Sequence, residues 1–520
     1  MSPHAEDCAR HVHRRVIAAA PGTLGRQPLV NAAAILLGHG GAQHPALVCD
    51  GRWLTYAALR DAVARAASVW QRRGVGPGDR VAIRLPDGIE WVTGFLGALW
   101  AGAVAVAVNP RIPADEWQFI LGEAGYRLIL AETRDDTPAP YRDRVLTVAE
   151  FLREAAEAEP VEATPMDVDA PAFWTHSSGS SGRPKAVVHP HRFALHVERV
   201  AAELLHVGAG DRLFASSKLF FSYPLGNSLF SGLKQGATVI LDPQWPTAAS
   251  VAATIEATRP TVLFSVPSLY RNFLKEGLAG RLVGYGIRKC VSAGEALPRS
   301  LRDEWLRQTG VAIVNGYGAS ETLTLVLINQ GPDDDLVPAP GVDIRTMGRH
   351  AHGGPTRLAI RPEALALGYW NRPDADAEYF RDGAFCPADL FARADGGYRF
   401  AGREDSLVKI HGRWVNLAEV EERLANACPG IIEAAAAAVP DGDGVDAVAF
   451  FYVVNDDAPA GAESLLRTLA DTWPHFRRPR WLHAVESLPR TATGKLLRRE
   501  LKNLHRSLDV QASDVVEGRH

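Results

Sequence analysis

Residues 91–108, WVTGFLGALWAGAVAVAV, are the most apolar stretch of the chain, and the glycines inside it limit what it can become. A membrane span needs an unbroken apolar helix. Gly94, Gly97 and Gly102, with Asn109-Pro110 behind them, predict instead a buried helix that turns into a buried strand. The flank agrees: 79–85 followed by Pro86-Asp87-Gly88 reads as a strand and turn, 90–100 as the helix behind it, and 103–108 as a second strand of one parallel unit. Short apolar strands return at 212–216, 237–241, 261–265, 289–292 and 312–315, with helical stretches between several of them. That alternation predicts an α/β fold of layered parallel or mixed sheets covered by helices.

Beyond Pro338 the texture changes. Residues 356–360 and 397–400 are short, rich in turn formers and read as a small antiparallel subdomain. Residues 406–410 read as a strand and 416–427 as a helix with Asn416 as its N-cap. Strands at 434–440 and 445–454, a helix at 462–472 and an element starting at Gly494 follow. The material suffices for a separate α+β domain of roughly a hundred residues. The last dozen residues, DVQASDVVEGRH, are expected to fray.

With 520 residues the chain is too long for one hydrophobic core, and 56 Lys and Arg against 60 Asp and Glu give a net charge of −4. So even a balance makes no electrostatic case for nucleic acid. Cys8, Cys49, Cys290, Cys386 and Cys428 are scattered without metal-knuckle or dithiol spacing, which predicts reduced structural thiols. The opening MSPHAEDCARHVHRR places charges before any apolar run and has no secretory h-region, so a cytoplasmic protein is expected.

His176–Lys185, HSSGSSGRPK, concentrates hydroxyls, glycines and cations. Gly179 and Gly182 can take positive φ and let successive backbone N–H groups converge on an anion. Ser177, Ser178, Ser180 and Ser181 can donate further hydrogen bonds, and Lys185 supplies a cation, a combination suited to a triphosphate. The same composition also describes a mobile Ser/Gly surface loop. The stretch is not a GxxxxGK[ST] loop, because no Ser or Thr follows Lys185.

In its order and spacing with four further blocks, HSSGSSGRPKAVVHPH resembles the phosphate-loop signature of the adenylate-forming superfamily, which contains acyl- and aryl-CoA synthetases, luciferases and nonribosomal-peptide adenylation domains. The other blocks are NGYGASET from Asn315, GYW from Gly368, GREDSLVKIHGRWV from Gly402 and LPRTATGKLLRREL from Leu488. The resemblance implies a large domain 1–402 that binds acid and ATP, a hinge at 403–405 centred on Asp405, and a mobile lid domain 406–520. It implies ATP, Mg²⁺ and CoA as cosubstrates and metal. In the second block, Tyr317 between Gly316 and Gly318 offers a flat face to a purine and Asn315 an amide to its edge. Glu321 would take Mg²⁺, and Ser320 or Thr322 would reach the α-phosphate. Asp389, in PAD where the family has Thr-Gly-Asp, would accept the ribose hydroxyls, with Arg403 toward the ribose or phosphates. Lys495 would bridge the substrate carboxylate and the α-phosphate, whereas the face from Lys409 to Gly412 would serve thiol transfer, Gly412 letting the pantetheine come close.

Lys218–Asn227, KLFFSYPLGN, and Ser320–Asn329, SETLTLVLIN, are similar to blocks of benzoate-CoA ligases and related aryl-CoA ligases. Phe220, Phe221 and Tyr223 could form a flat wall for an aromatic ring, with Ala293 and Gly294 leaving room opposite; the same aromatics could equally pack the core. The expected activity is conversion of a small aromatic carboxylic acid to an acyl-adenylate and then to an aryl-CoA. Transfer to a carrier protein's pantetheine and a nonenzymatic nucleotide-binding module are the rival readings. A homodimer is left open.

Overall fold

In the computed structural model the apolar stretch divides where its glycines require. The helix Ile89–Trp100 ends at Ala101, Gly102 takes φ +78°, and the strand Val104–Ala107 follows. The helix lies against its neighbour Tyr56–Arg72, and a Cβ at Gly97 would stand 2.6 Å from Ala66 Cβ, so the close approach needs glycine. No helix among the described residues is long and apolar enough to cross a membrane. The structure describes residues 29–178, 183–329, 331, 335–347, 354–410, 413–428, 431–441, 445–454, 462–489 and 496–517.

The chain divides into two compact units, 1–346 with 359–386 and 394–398, and 347–358 with 387–393 and 399–520. Two large sheets lie in the first. One runs Gly368–Tyr369, Pro184–Pro190, Pro171–Ser178, Val104–Ala107, Arg80–Arg84, Leu128–Ala131, Val145–Thr147; from Pro171–Ser178 onward its strands are parallel. The other has nine strands, with Ile313–Tyr317, Lys289–Ser292, Val262–Ser265, Arg212–Ala215, Thr238–Leu241 and Pro45–Cys49 parallel in that order. The strands expected at 79–85, 103–108, 212–216, 237–241, 261–265, 289–292 and 312–315 therefore all form, each within a residue or two of its expected bounds.

The second unit holds the hairpin Leu407–Ile410 and Arg413–Asn416, then a three-stranded sheet. In that sheet Asp446–Val454 pairs antiparallel with Ile431–Pro440 and parallel with Pro479–Ala484. Asn416 caps the helix Leu417–Ala427 by accepting from Ala418 N at 3.1 Å, as its sequence position predicts, while its Nδ2 donates to Ala401 O at 2.7 Å. One expectation fails: residues 509–517 do not fray but continue the helix Arg498–Glu517, whose apolar positions Leu501, Leu504 and Leu508 carry it along the sheet's hydrophobic cluster. Cys49, Cys290, Cys386 and Cys428 are buried thiols, and burial pushes that of Cys290 up to about 12.

Candidate active site

The strand Pro171–Ser178 continues through His176 and Ser177 and pairs antiparallel with Pro184–Pro190, bringing Ser177 opposite Lys185 and Ser178 opposite Pro184. Gly179, Ser180, Ser181 and Gly182 lie outside the described residues, as do Gly412 and Lys495; Ser178 and Asp405 are described by their backbones. Thr175 Oγ1 and Ser222 Oγ are 2.9 Å apart in the interior, so the phosphate-loop strand is tied to the aromatic segment beside it. His176 Nδ1 lies 3.4 Å from Ala107 O, and burial holds its imidazole down at about 4, neutral at physiological pH.

The return strand gives Lys185 its surroundings. Gly368–Tyr369 pairs with it antiparallel, Tyr369 opposite Val187, and this register sets Tyr369 beside Lys185 two residues away on the strand. Lys185 Nζ lies 4.9 Å from the Tyr369 ring centre and 4.6 Å from that of Tyr379. The Tyr369 hydroxyl donates to Glu321 Oε1 at 2.6 Å, so one side chain touches both Lys185 and Glu321. Glu321 is 6% exposed and Tyr369 is 3% exposed; burial first, then the neighbouring Glu321 carboxylate, pushes the phenol well up, and Tyr369 is a neutral donor. The sequence shows GYW as a block but offers no role for its tyrosine.

His189 is a second residue whose part was not read from sequence. Its ring stacks on Phe173 with centroids 4.6 Å apart, and Nε2 lies 2.9 Å from Ser320 O. A carbonyl only accepts, so Nε2 carries the hydrogen. Burial pushes this imidazole down to about 3, and the neutral ring fixes the backbone next to Glu321.

NGYGASET begins in the strand Ile313–Tyr317 and turns back at once: Gly316 pairs with Ile328 and Tyr317 with Leu327. Asn315, Tyr317 and Ser320 are half-buried. Gly316 and Gly318 are required by packing, since a Cβ would meet Leu325 Cδ1 at 2.6 Å and Thr324 O at 2.8 Å. Thr322 is fully buried inside the turn, its Oγ1 accepting from Ala319 N at 3.0 Å, so it shapes the turn while Ser320 keeps an accessible side. Leu323 closes the turn at φ +64°, a conformation that costs a non-glycine residue of order 1 kcal/mol.

The aromatic segment splits. Phe220 packs in the core against Phe221, with centroids 4.3 Å apart, and against Trp245. Tyr223 joins the cluster that contains Ala293 and Leu325, meets Phe264 edge-on and donates to Val291 O at 3.2 Å. Beside exposed Gly294, at φ +86°, an added Cβ would meet nothing within 4 Å. Asn227 binds the two blocks together: its Nδ2 donates to Tyr223 O at 2.9 Å and its Oδ1 accepts from Leu325 N at 3.3 Å. Just before Phe220 in the chain, Leu219 N donates to Asp87 and Lys218 Nζ donates to Asp242 O at 2.6 Å.

In the second unit Arg403 Nη1 and Asp389 Oδ1 are 3.5 Å apart, so these two residues, distant in sequence, stand together. Glu404 N donates to Ala388 O at 2.8 Å, and Arg357 Nε to Pro387 O at 2.8 Å, bracing the loop before Asp389 where the sequence departs from Thr-Gly-Asp. Asp405 is in the single turn Glu404–Ser406, and Lys409 is exposed on the hairpin opposite Trp414.

The family model described as AMP-binding enzyme matches residues 38–370, and that described as AMP-binding enzyme C-terminal domain matches residues 419–495. The chain is 36% identical, over 519 residues, to a 3-hydroxybenzoate–CoA/4-hydroxybenzoate–CoA ligase of Thauera aromatica, covering 92% of this chain and 98% of that one. Its fold matches the anthranilate CoA ligase AuaEII in complex with anthranoyl-AMP, with TM-score 0.84, 27% identity and coverage of 92% of this chain and 97% of that chain. It also matches a benzoate CoA ligase from Burkholderia xenovorans LB400, with TM-score 0.80, 29% identity and coverage of 91% of this chain and 100% of that chain. By the match over most of its length, the chain belongs to the AMP-binding enzyme family, the adenylate-forming superfamily of acyl- and aryl-CoA ligases.

Proposed function

We propose that this enzyme converts a compact aromatic carboxylic acid to its CoA thioester. The acid's carboxylate oxygen attacks the α-phosphorus of ATP, the bond from that phosphorus to the bridging oxygen breaks, and pyrophosphate departs, leaving an acyl-adenylate. The CoA thiol then attacks the acyl carbonyl, its proton is lost and AMP leaves. The observation that carries the reading is the bonding of the aromatic segment to both phosphate-side elements, through Ser222 to Thr175 and through Asn227 to Leu325. An acid held against Tyr223 and Ala293 would be fixed relative to groups that face the triphosphate, as attack in line requires. Relatives named for hydroxybenzoate, benzoate and anthranilate support an aryl acid.

In this reading Lys185 and Ser177 to Gly182 hold phosphates, Asn315 to Gly318 the purine, and Asp389 with Arg403 the ribose. Glu321 fits Mg²⁺: it is a buried hard oxygen ligand, and Mg²⁺ is ordinarily held by one or two carboxylates plus substrate phosphates. Among the described residues no group of three or more His, Cys, Asp or Glu is placed to hold a metal ion. Bound at Glu321, the ion would neutralise charge on the phosphates. Lys495 would stabilise charge as the carboxylate attacks, and residues 403–405 would let a lid domain 406–520 turn on the domain 1–402, presenting Lys409 to Gly412 for the second step. We take free CoA as acceptor, with a carrier-protein pantetheine as the rival, and assign the protein to the cytoplasm; a homodimer is testable by light scattering.

The test is kcat/KM across benzoate, hydroxybenzoates, acetate, hexanoate and palmitate at saturating CoA. The compact aromatic acids are expected to exceed acetate and palmitate at least tenfold, about 1.4 kcal/mol in the transition state. A preference for any aliphatic acid overturns the aryl assignment, and absence of acid-dependent pyrophosphate exchange overturns the adenylation reading. Replacing CoA by a loaded carrier protein separates the two acceptors.

A further inference from the structure

Lys185 and Glu321 come from different blocks of sequence, and a third block joins them through a single side chain. Tyr369 hydrogen-bonds Glu321 Oε1 at 2.6 Å with its hydroxyl and, with Tyr379, presents ring faces to Lys185 Nζ at 4.9 and 4.6 Å. The two rings meet edge to face, 86° apart, and Phe380 packs edge-on against Tyr369 from another direction, so the rings have little freedom to turn. The backbone is fastened as well: Tyr369 N donates to Asp376 Oδ1 at 2.8 Å. Gly368, at φ +144°, permits that contact, since a Cβ there would stand 2.7 Å from the same oxygen.

A donor that occupies one carboxylate oxygen fixes the plane of the carboxylate and leaves the other oxygen's direction defined. This is how a neighbour of a metal ligand raises metal affinity without touching the metal. Resting on the adenylation reading above, we infer that Tyr369 is a positioning residue for MgATP: its hydroxyl aims Glu321 at the metal, and its ring, with that of Tyr379, holds Lys185 ready for the phosphates. The two duties are separable by substitution. Tyr369→Phe removes the hydroxyl and keeps the ring, whereas Tyr379→Leu removes half of the aromatic cage and leaves the Tyr369 to Glu321 bond in place.

The experiment measures the Mg²⁺ midpoint for binding of a nonhydrolysable ATP analogue by calorimetry, alongside the Mg²⁺ dependence of acid-dependent pyrophosphate exchange and the thermal midpoint of the free protein. Tyr369→Phe is expected to raise the Mg²⁺ midpoint about tenfold in both assays, with KM for the acid unchanged. Tyr379→Leu is expected to weaken analogue binding and leave the Mg²⁺ midpoint where it is. A wild-type Mg²⁺ midpoint in Tyr369→Phe overturns the inference, and so does an equal shift in Tyr379→Leu, which would mark a loss of packing. Should Tyr369→Phe fail to fold, Asp376→Ala, which frees the Tyr369 backbone, must shift the Mg²⁺ midpoint in the same direction, and no shift there overturns the inference. Failure of the wild type to exchange pyrophosphate would instead remove the adenylation reading itself.

Discussion

Asp87 is buried, and both of its carboxylate oxygens accept from Leu219 N at 3.1 Å. Burial, opposed by the charge of Lys218, raises its pKa to about 7, while burial lowers that of Lys218. The folded chain therefore binds a proton at Asp87 that the unfolded chain, with an ordinary carboxylate near 4, has already released. Between those values the folded state holds more protons, so this group's contribution to stability is full below about pH 4 and is lost as pH rises through about 7. Asp87→Asn keeps an oxygen to accept from Leu219 N and cannot ionise. It is expected to remove that downward slope, so that its stability relative to wild type improves steadily from pH 4 to pH 8 in urea titrations. Parallel profiles for the two proteins would show that Asp87 does not titrate in this window. The sequence shows Asp87 as a turn residue before a helix; its burial depends on Lys218 and Leu219 arriving from a different part of the chain, which no local pattern encodes. The part of Tyr369 is hidden in the sequence for the same reason, because its meeting with Lys185 depends on strand register.

The turn Ser222–Pro224 and the π-helical stretch Leu225–Phe230 carry the aryl-ligase-like residues, and their packing explains the glycine among them. A Cβ on Gly226 would lie 2.5 Å from Leu323 O and 3.0 Å from Leu323 Cγ. The nearer obstacle is backbone, and that backbone is already in a left-handed conformation at Leu323, two residues from Glu321. Gly226→Ala is expected to destabilise the fold by roughly 1–3 kcal/mol and to weaken both acid and MgATP, since it displaces the strut shared by their two sides. Denaturant titration with substrate KM values would check it, and an unchanged Glu321 side with a raised acid KM would confine the effect to the aromatic segment. Elements with strong periodicity are legible: the strands near 79–85, 103–108, 212–216, 237–241, 261–265, 289–292 and 312–315, the division of residues 91–108 and the Asn416 cap follow from apolar spacing and capping chemistry, whereas short strands such as Leu128–Ala131 and Val145–Thr147 do not stand out from the sequence. The split of Phe220 from Tyr223 is not legible either, because an aromatic-rich segment reads the same whether a ring faces Trp245 or Ala293. The end of the last helix is obscured in the sequence because Ala512 and Val515, which continue the spacing of Leu501, Leu504 and Leu508, stand among Asp, Gln and Ser residues that read as a polar tail.

At the scale of the molecule, one site must stabilise attack on phosphorus and then attack on a carbonyl, whose charges develop on different atoms. A single rigid set of groups is poorly suited to both, and the proposed change of domain orientation between the steps would answer the conflict. Lys495 would belong to the first step and residues near Lys409 to the second, with Asp405 between them in the chain. Asp405 sits in a tight turn closed by the Leu407 N to Glu404 O bond, a conformation that proline can occupy and would then retain. Asp405→Pro is therefore expected to spare pyrophosphate release in a single turnover and to slow thioester formation about tenfold or more. Lys495→Ala should do the reverse. Loss of one preorganised charge-stabilising group costs about 10²–10³ in rate, so adenylation should fall by that much, while conversion of a supplied synthetic aryl-adenylate and CoA to thioester stays close to wild type. Quenched-flow measurement of the two half-reactions in both variants decides between this arrangement and a static site. Opposite patterns support a lid that serves the steps in turn, whereas equal losses in both halves for Lys495→Ala would remove the separation of roles on which the rotation rests.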